Sequence, residues 1–166
     1  PRINNYLSEA NRNIRSENRK KNNADKKYRW TNGPPTEVMD VPDNAYKDGA
    51  TTELAIRTMR EKKDDAFFLA VGFSKPHLPF CAPKKYWDLY DTANIDLPSV
   101  TTPPQDAPAL AFTEWGELRN YYGIPEEGDL YEGLSRTLIH GYYACVSYTD
   151  ALIGQLLKEL DRLELR

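Results

Sequence analysis

Cysteine, histidine and methionine are scarce in this sequence, at two residues each among 166. Two cysteines, Cys81 and Cys145, fix neither a disulfide framework nor a zinc site, so cysteine usage names no redox compartment. Long hydrophobic runs are missing too. The longest, residues 66–73, falls far short of the ~20 apolar residues that cross a bilayer, and no signal-like segment opens the chain, so no membrane span is expected. There is no internal repeat. An initiator methionine is also lacking. The chain runs from Pro1 to Arg166, the latter inside a helical pattern, and this predicts a segment of a longer protein.

What is present fits one domain's worth of chain, with 40% hydrophobic residues, enough for a modest core. The formal net charge is -3, unevenly spread. Residues 1–30 hold nine Lys/Arg against three Asp/Glu, a net of +6, while the other 136 residues hold thirteen against twenty-two, a net of -9. A basic arm of this kind suits phosphate or sulfate polyanions, although such a run is commonly only a solvated face. A weak apolar series there (Ile3, Tyr6, Leu7, Ala10, Ile14) predicts one exposed helix in a peripheral segment, residues 1–30.

Residues 30–48 carry turn formers and read as a loop. A helix follows, with capping oxygens from Asp48, Thr51 and Thr52, basic residues Arg60, Lys62 and Lys63 near its end, and Leu54, Thr58 and Met59 in its buried stripe. Asp64 and Asp65 turn the chain. The eight apolar residues 66–73 then predict a strand buried on both faces, as parallel sheets contain. Helix, tight turn and buried strand make half of a βαβ unit, so the expected fold class is α/β. Prolines stiffen the loop that follows. Residues 84–90 look like a short amphipathic helix, and the prolines within residues 94–111 exclude regular structure there. Leu134, Leu138, Tyr142, Cys145, Thr149, Leu152, Leu156, Leu160 and Leu163 advance by three or four, the stripe of one helix of roughly thirty residues.

Ser74, Lys75, Pro76 and His77 follow the expected strand. In open α/β sheets ligands bind beyond the carboxyl ends of strands, where side chains leave the packed sheet and face a crevice. Lys75 brings an ammonium with three donors, and His77 can donate a hydrogen bond or, when charged, a proton. Both suit a tetrahedral oxyanion, and the flanking prolines lower the entropy lost on ordering the loop. The bland alternative is a surface lysine beside a hydrogen-bonded loop histidine.

FFLAVGFSKPHLPF, followed by APKKYWDLYD, resembles a segment of sulfatases of the iduronate-2-sulfatase type, within the alkaline-phosphatase-like superfamily. The approach GPPTEVMDVPDNAYKDGATTELAIRTMRE and the late RTLIHGYYACVSYTDALIGQLLKELDRLEL resemble the same group in the same order, while residues 1–30 carry little of the likeness. The resemblance implies that residues 31–166 are an internal part of a sulfatase catalytic domain with an alkaline-phosphatase-like fold. It implies hydrolysis of sulfate esters, as in glycosaminoglycan or polysaccharide degradation, and a periplasmic, secreted or lysosomal location. In that group a His-x-Pro turn faces the sulfate. His77-Leu78-Pro79 falls on it, giving His77 a catalytic and substrate-binding role and Lys75 a substrate-binding one. The implied partners are a sulfated carbohydrate and the remainder of the sulfatase polypeptide, with no nucleic acid expected.

Other parts of the family's machinery have no counterpart in this sequence. The formylglycine made from Cys/Ser-x-Pro-Ser/Ala-Arg is one: Cys81-Ala82-Pro83-Lys84-Lys85 matches its first and third positions only and lies after the His-x-Pro turn, so Cys81 reads as a loop residue. The implied Ca2+ needs six to eight converging oxygens. The adjacent pair Asp64 and Asp65 stands at the wrong end of the expected strand and reads as solvated. No metal ligand is therefore assigned here, and this polypeptide is expected to be inactive alone. His140 reads as a surface residue and Asp150 carries no assigned chemistry. Trp30, Trp87 and Trp115 could stack on sugars, though such aromatics more often pack loops together. Two rival readings stay open: a phosphate or phosphonate ester hydrolase of the same superfamily, and a noncatalytic polyanion-binding module.

Overall fold

The computed structural model describes residues 5–112 and 116–165; Arg2, Ile3 and Trp115 lie outside them. Its first element is α1, Glu9–Ala24, which begins where Ser8 caps the Asn11 N–H. A longer-range anchor holds the same end. Glu37, buried on strand β1 (Thr36–Met39), accepts from the Leu7 N–H at 2.7 Å, the Ser8 N–H at 3.1 Å and the Asn11 side-chain amide at 2.9 Å. Tyr6 is part of the core, and its hydroxyl donates to the Pro34 carbonyl. The basic segment is thus tied into the body of the protein by its entry residues, while most of the helix surface stays open.

β1 lies within the stretch expected to be loop. It pairs in parallel with β2, Phe80–Pro83, in the register Thr36 with Phe80 through Met39 with Pro83. Helix α2, Lys47–Lys62, connects the two and so completes a βαβ arrangement. The expected strand at residues 66–73 is corrected by this topology. That run has no regular structure, and Phe68 is 95% exposed. The physical reason is that a strand apolar on both faces needs neighbours on both faces, and no described strand pairs with it. The strand that forms is FCAP, four residues that follow Pro79 and end in Pro83, in a segment whose prolines read as loop. In α2 the buried residues are Asp48, Gly49, Thr52, Ala55 and Met59, whereas Leu54 faces outward at 52% exposure, contrary to its place in the expected stripe.

A short α3, Lys84–Trp87, and a single turn, α4, Gly116–Arg119, precede the long α5, Glu132–Arg162. The 31 residues of α5 bear out the length expected for the late helix. Its buried line is Leu138, Gly141, Ala144, Cys145, Tyr148 and Leu152, and Tyr142 lies outside it. Small residues set that line because α5 rides directly on β2: a Cβ added at Gly141 would stand 2.9 Å from Phe80 Cβ and from the Trp87 ring. The core is formed where α5 crosses β2 and α3, with Cys81, Ala82, Tyr86, Trp87, Ala144 and Tyr148 in it.

At its far end α5 is tied to α2 through the buried Glu159 carboxylate. Arg60 Nε donates to it at 2.8 Å, Arg60 Nη2 at 3.1 Å and Arg162 Nε at 3.0 Å. The hydrogen bonds from Arg60 and then Arg162 lower its pKa from 4.5 to about 2. A carboxylate with a depressed folded pKa contributes stability above its unfolded value and loses it as pH falls through the folded one. Glu159→Gln is therefore expected to melt below the wild type at neutral pH, with the difference shrinking between pH 4.5 and about 2. Thermal denaturation of both proteins across that range checks it; a difference independent of pH contradicts it.

Candidate oxyanion-binding loop

The chain leaves the apolar run at Ser74, and the carboxylate of Asp48 captures it there. The Ser74 N–H donates to Asp48 Oδ2 at 2.9 Å, the Ser74 hydroxyl to Oδ1 at 2.9 Å and the Lys75 N–H to Oδ2 at 2.8 Å. Asp48 is only 2% exposed, and it sits at the start of α2, so it clamps the loop to that helix instead of capping the helix as expected. Thr149 of α5 donates to the Lys75 carbonyl at 3.4 Å, and the His77 N–H returns to the Ser74 carbonyl at 3.0 Å. The Lys75-Pro76 and Leu78-Pro79 peptides are both cis.

Within this frame the two expected site residues behave differently. Lys75 is half-buried, and its ammonium turns back onto its own loop, donating to the His77 carbonyl at 3.1 Å and to the Pro79 carbonyl. Two of its three donors are thus used internally, and one is left. His77 projects outward with 64% of its side chain exposed. A carbonyl can only accept, so the 2.7 Å contact from Nδ1 to the Leu78 oxygen places a proton on Nδ1. Nε2 is the nitrogen left for chemistry, and Glu117 Oε1 on α4 stands 3.4 Å from it. A groove of about 560 Å³ opens beside the loop, with Leu78, Phe80, Leu97, Pro98, Leu118 and Tyr142 among its walls.

The remaining candidates lie elsewhere. Cys81 is in strand β2, not in a loop, and wholly buried. Burial raises its thiol pKa and pushes that of Cys145 up to about 12, so both stay protonated and unreactive. Asp64 and Asp65 pair with Lys63 and Lys62 in the exposed turn. Among the described residues no three His, Cys, Asp or Glu side chains converge to hold a metal ion. The calcium implied by the resemblance has no ligand set in them, and Asp48, the buried carboxylate that holds the loop, is engaged by N–H and O–H donors. His140 is not a surface residue: Nε2 donates to the Trp87 carbonyl at 2.8 Å, Nδ1 meets the Thr92 hydroxyl at 2.6 Å, and the ring packs on Trp87. Trp30 bonds the Ile124 carbonyl and packs edge-on to Tyr28 and Tyr122, and Trp87 is in the core, so both join elements together.

Asp48 and Glu117 are the residues of this site that the sequence reading missed. The Asp48 bonds cross 26 and 27 positions, and Glu117 meets a residue 40 positions earlier, so neither contact has a local signature.

Comparison with known proteins gives the same assignment as the motifs. A family model described as Sulfatase matches residues 5–166, so the match takes in nearly all of the basic segment as well. Iduronate 2-sulfatase of Mus musculus is 37% identical over 139 residues, which cover 79% of this chain and 25% of that protein. The Homo sapiens iduronate 2-sulfatase is 36% identical over the same shares. A sulfatase of Formosa agariphila is 28% identical over 129 residues, 71% of this chain and 23% of the relative. The chain therefore spans about a quarter of the length of these relatives.

Proposed function

Because the chain belongs to the sulfatase family, we propose that it is part of the catalytic domain of an enzyme that hydrolyses sulfate esters of a sulfated carbohydrate, of the iduronate-2-sulfatase kind. The observation that carries this reading is the presentation of His77 Nε2 from a loop clamped by a buried carboxylate. Hydrolysis breaks the sulfur–oxygen bond to the sugar, water supplies the oxygen that sulfate takes away, and the departing sugar oxygen needs a proton. With Nδ1 tied to the Leu78 carbonyl, a doubly protonated His77 has its second N–H on Nε2, beside Glu117 Oε1 at 3.4 Å, to give to a sulfate oxygen or to that leaving oxygen. The remaining Lys75 donor contributes positive charge to the same oxyanion or to a neighbouring carboxylate of the sugar. Residues outside this chain would supply the nucleophile and any metal, and the enzyme would work in an extracytoplasmic compartment.

The test is the complete protein assayed on an aryl sulfate and on the matching aryl phosphate. The reading predicts sulfate release with kcat/KM well above that for phosphate. Preference for the phosphate ester would favour the phosphohydrolase alternative, and no turnover of any sulfate ester would sink the proposal.

A further inference from the structure

The sulfatase chemistry does not use α1. One face of this helix is docked: Asn18 donates from its side-chain amide to the Asn32 carbonyl at 2.8 Å and accepts from the Tyr28 hydroxyl, and Asn22 donates to the Tyr28 carbonyl at 2.6 Å. Asn11 and Asn18, two turns apart, and Asn22 lie on one side of the cylinder. Arg12 and Arg19, two turns apart, form a row along one flank of that face, and Lys20 lies on the far side beside the carboxylates Glu9 and Glu17. All of them are exposed, and Lys26 and Lys27 continue the basic run past the helix end. Lys26 makes one hydrogen bond, to Asn23, and among the described residues no ion pair engages these five cations. A neutral amide face fixed to the body and a solvent-facing surface on which these five cations outnumber Glu9 and Glu17 and pair with neither differ from a helix laced by its own ion pairs, which is how a merely solvated charged helix is usually built.

Position adds to this. Asn5, just ahead of the helix, lines a small recess together with Asp48, Ser74 and Lys75. From there α1 extends for sixteen residues, or ~24 Å.

We infer that the outer face of α1 is a binding surface for the sulfated polysaccharide chain beyond the residue that is hydrolysed. This rests on the sulfatase reading above for the identity of the polymer. The occupant is a repeating anion because the cations are spread along a helix and do not converge on one point. Such a surface holds a polymer through many weak contacts and raises its local concentration at the site.

The test uses the complete protein and heparin as the sulfated probe, with desulfated heparin and duplex DNA as comparisons. Arg12→Ala/Arg19→Ala/Lys20→Ala should weaken heparin binding about tenfold or more and make the dependence of log K on log salt shallower by about two to three. A charge-matched variant at Arg57, Lys62 and Lys63 should bind heparin as the wild type does, and hydrolysis of a small aryl sulfate should be unchanged in the α1 variant. Unchanged heparin affinity in the α1 variant, an equal loss in the matched variant, or DNA bound as tightly as heparin would each overturn the inference. Its failure is separable from failure of the catalytic reading, which shows in the aryl sulfate assay, where the polymer plays no part.

Discussion

Replacing His77 by Ala is expected to lower kcat for sulfate release about 10²- to 10⁴-fold in the complete enzyme, the range that positioned general acids and bases contribute. The expectation follows from one nitrogen. Nδ1 is committed to the Leu78 carbonyl, so the ring cannot turn without losing that bond, and Nε2 alone faces outward. His77→Gln gives a sharper reading than alanine does. An amide can hydrogen-bond an oxyanion but cannot deliver a proton, so this variant should recover much of any rise in KM while kcat stays low. Steady-state kinetics of both variants check the prediction. A kcat within a few-fold of wild type in His77→Ala would make His77 an ordinary loop residue.

The second large effect is expected at Asp48, which touches no substrate in this account and acts through the loop it holds. Asp48→Ala leaves the Ser74 N–H, the Ser74 hydroxyl and the Lys75 N–H without their acceptor at a half-buried place, with Ser74 itself exposed. A buried abandoned donor costs about 1–3 kcal/mol, and water can reach the exposed Ser74 groups, so a loss of about 1–3 kcal/mol in unfolding free energy is expected. Asp48→Asn keeps the shape and an oxygen for the two N–H groups, but it removes the charge and turns an NH2 to the Ser74 hydroxyl, which must reverse from donor to acceptor. It should fold and still lose roughly 10²-fold in kcat, since a displacement of about 1 Å is enough to misplace a catalytic group by that much. Urea unfolding measures the first effect and single-turnover kinetics the second. An Asp48→Asn enzyme with wild-type kcat would show that the loop keeps its position without the clamp.

These two residues also mark how far the sequence could be read. His77 was visible because its neighbours are: Lys75, Pro76 and Pro79 form a local pattern that resemblance could recognise. Asp48 was visible only as an acidic residue at a helix start, and local rules assign such a residue to its own helix. Its true partners stand across a 26-residue gap. The late helix was legible in its length, because thirty residues of three- and four-step spacing have no other reading. Its buried line was less so. Counting large apolar residues put Tyr142 in the line, whereas close approach to Phe80 and Trp87 selects Gly141 and Ala144.

The misplaced strand has a similar origin. Residues 66–73 have the composition of a strand buried on both faces, and composition cannot say whether two neighbours are at hand. FCAP has only two strongly apolar residues between two prolines, yet it pairs because β1 lies beside it and α5 covers it. His140 was misjudged for the same cause: on its own helix it falls beside the apolar face, and the groups that enclose it come from Trp87 and Thr92.

The most direct test of the account is a crystal structure of the complete protein with a sulfated oligosaccharide bound. The account predicts His77 Nε2 within hydrogen-bond distance, about 3 Å, of a sulfate or bridging ester oxygen, with Asp48 still bonded to Ser74 and Lys75. A sulfate group bound away from this loop, with His77 facing only solvent and Glu117, would contradict it.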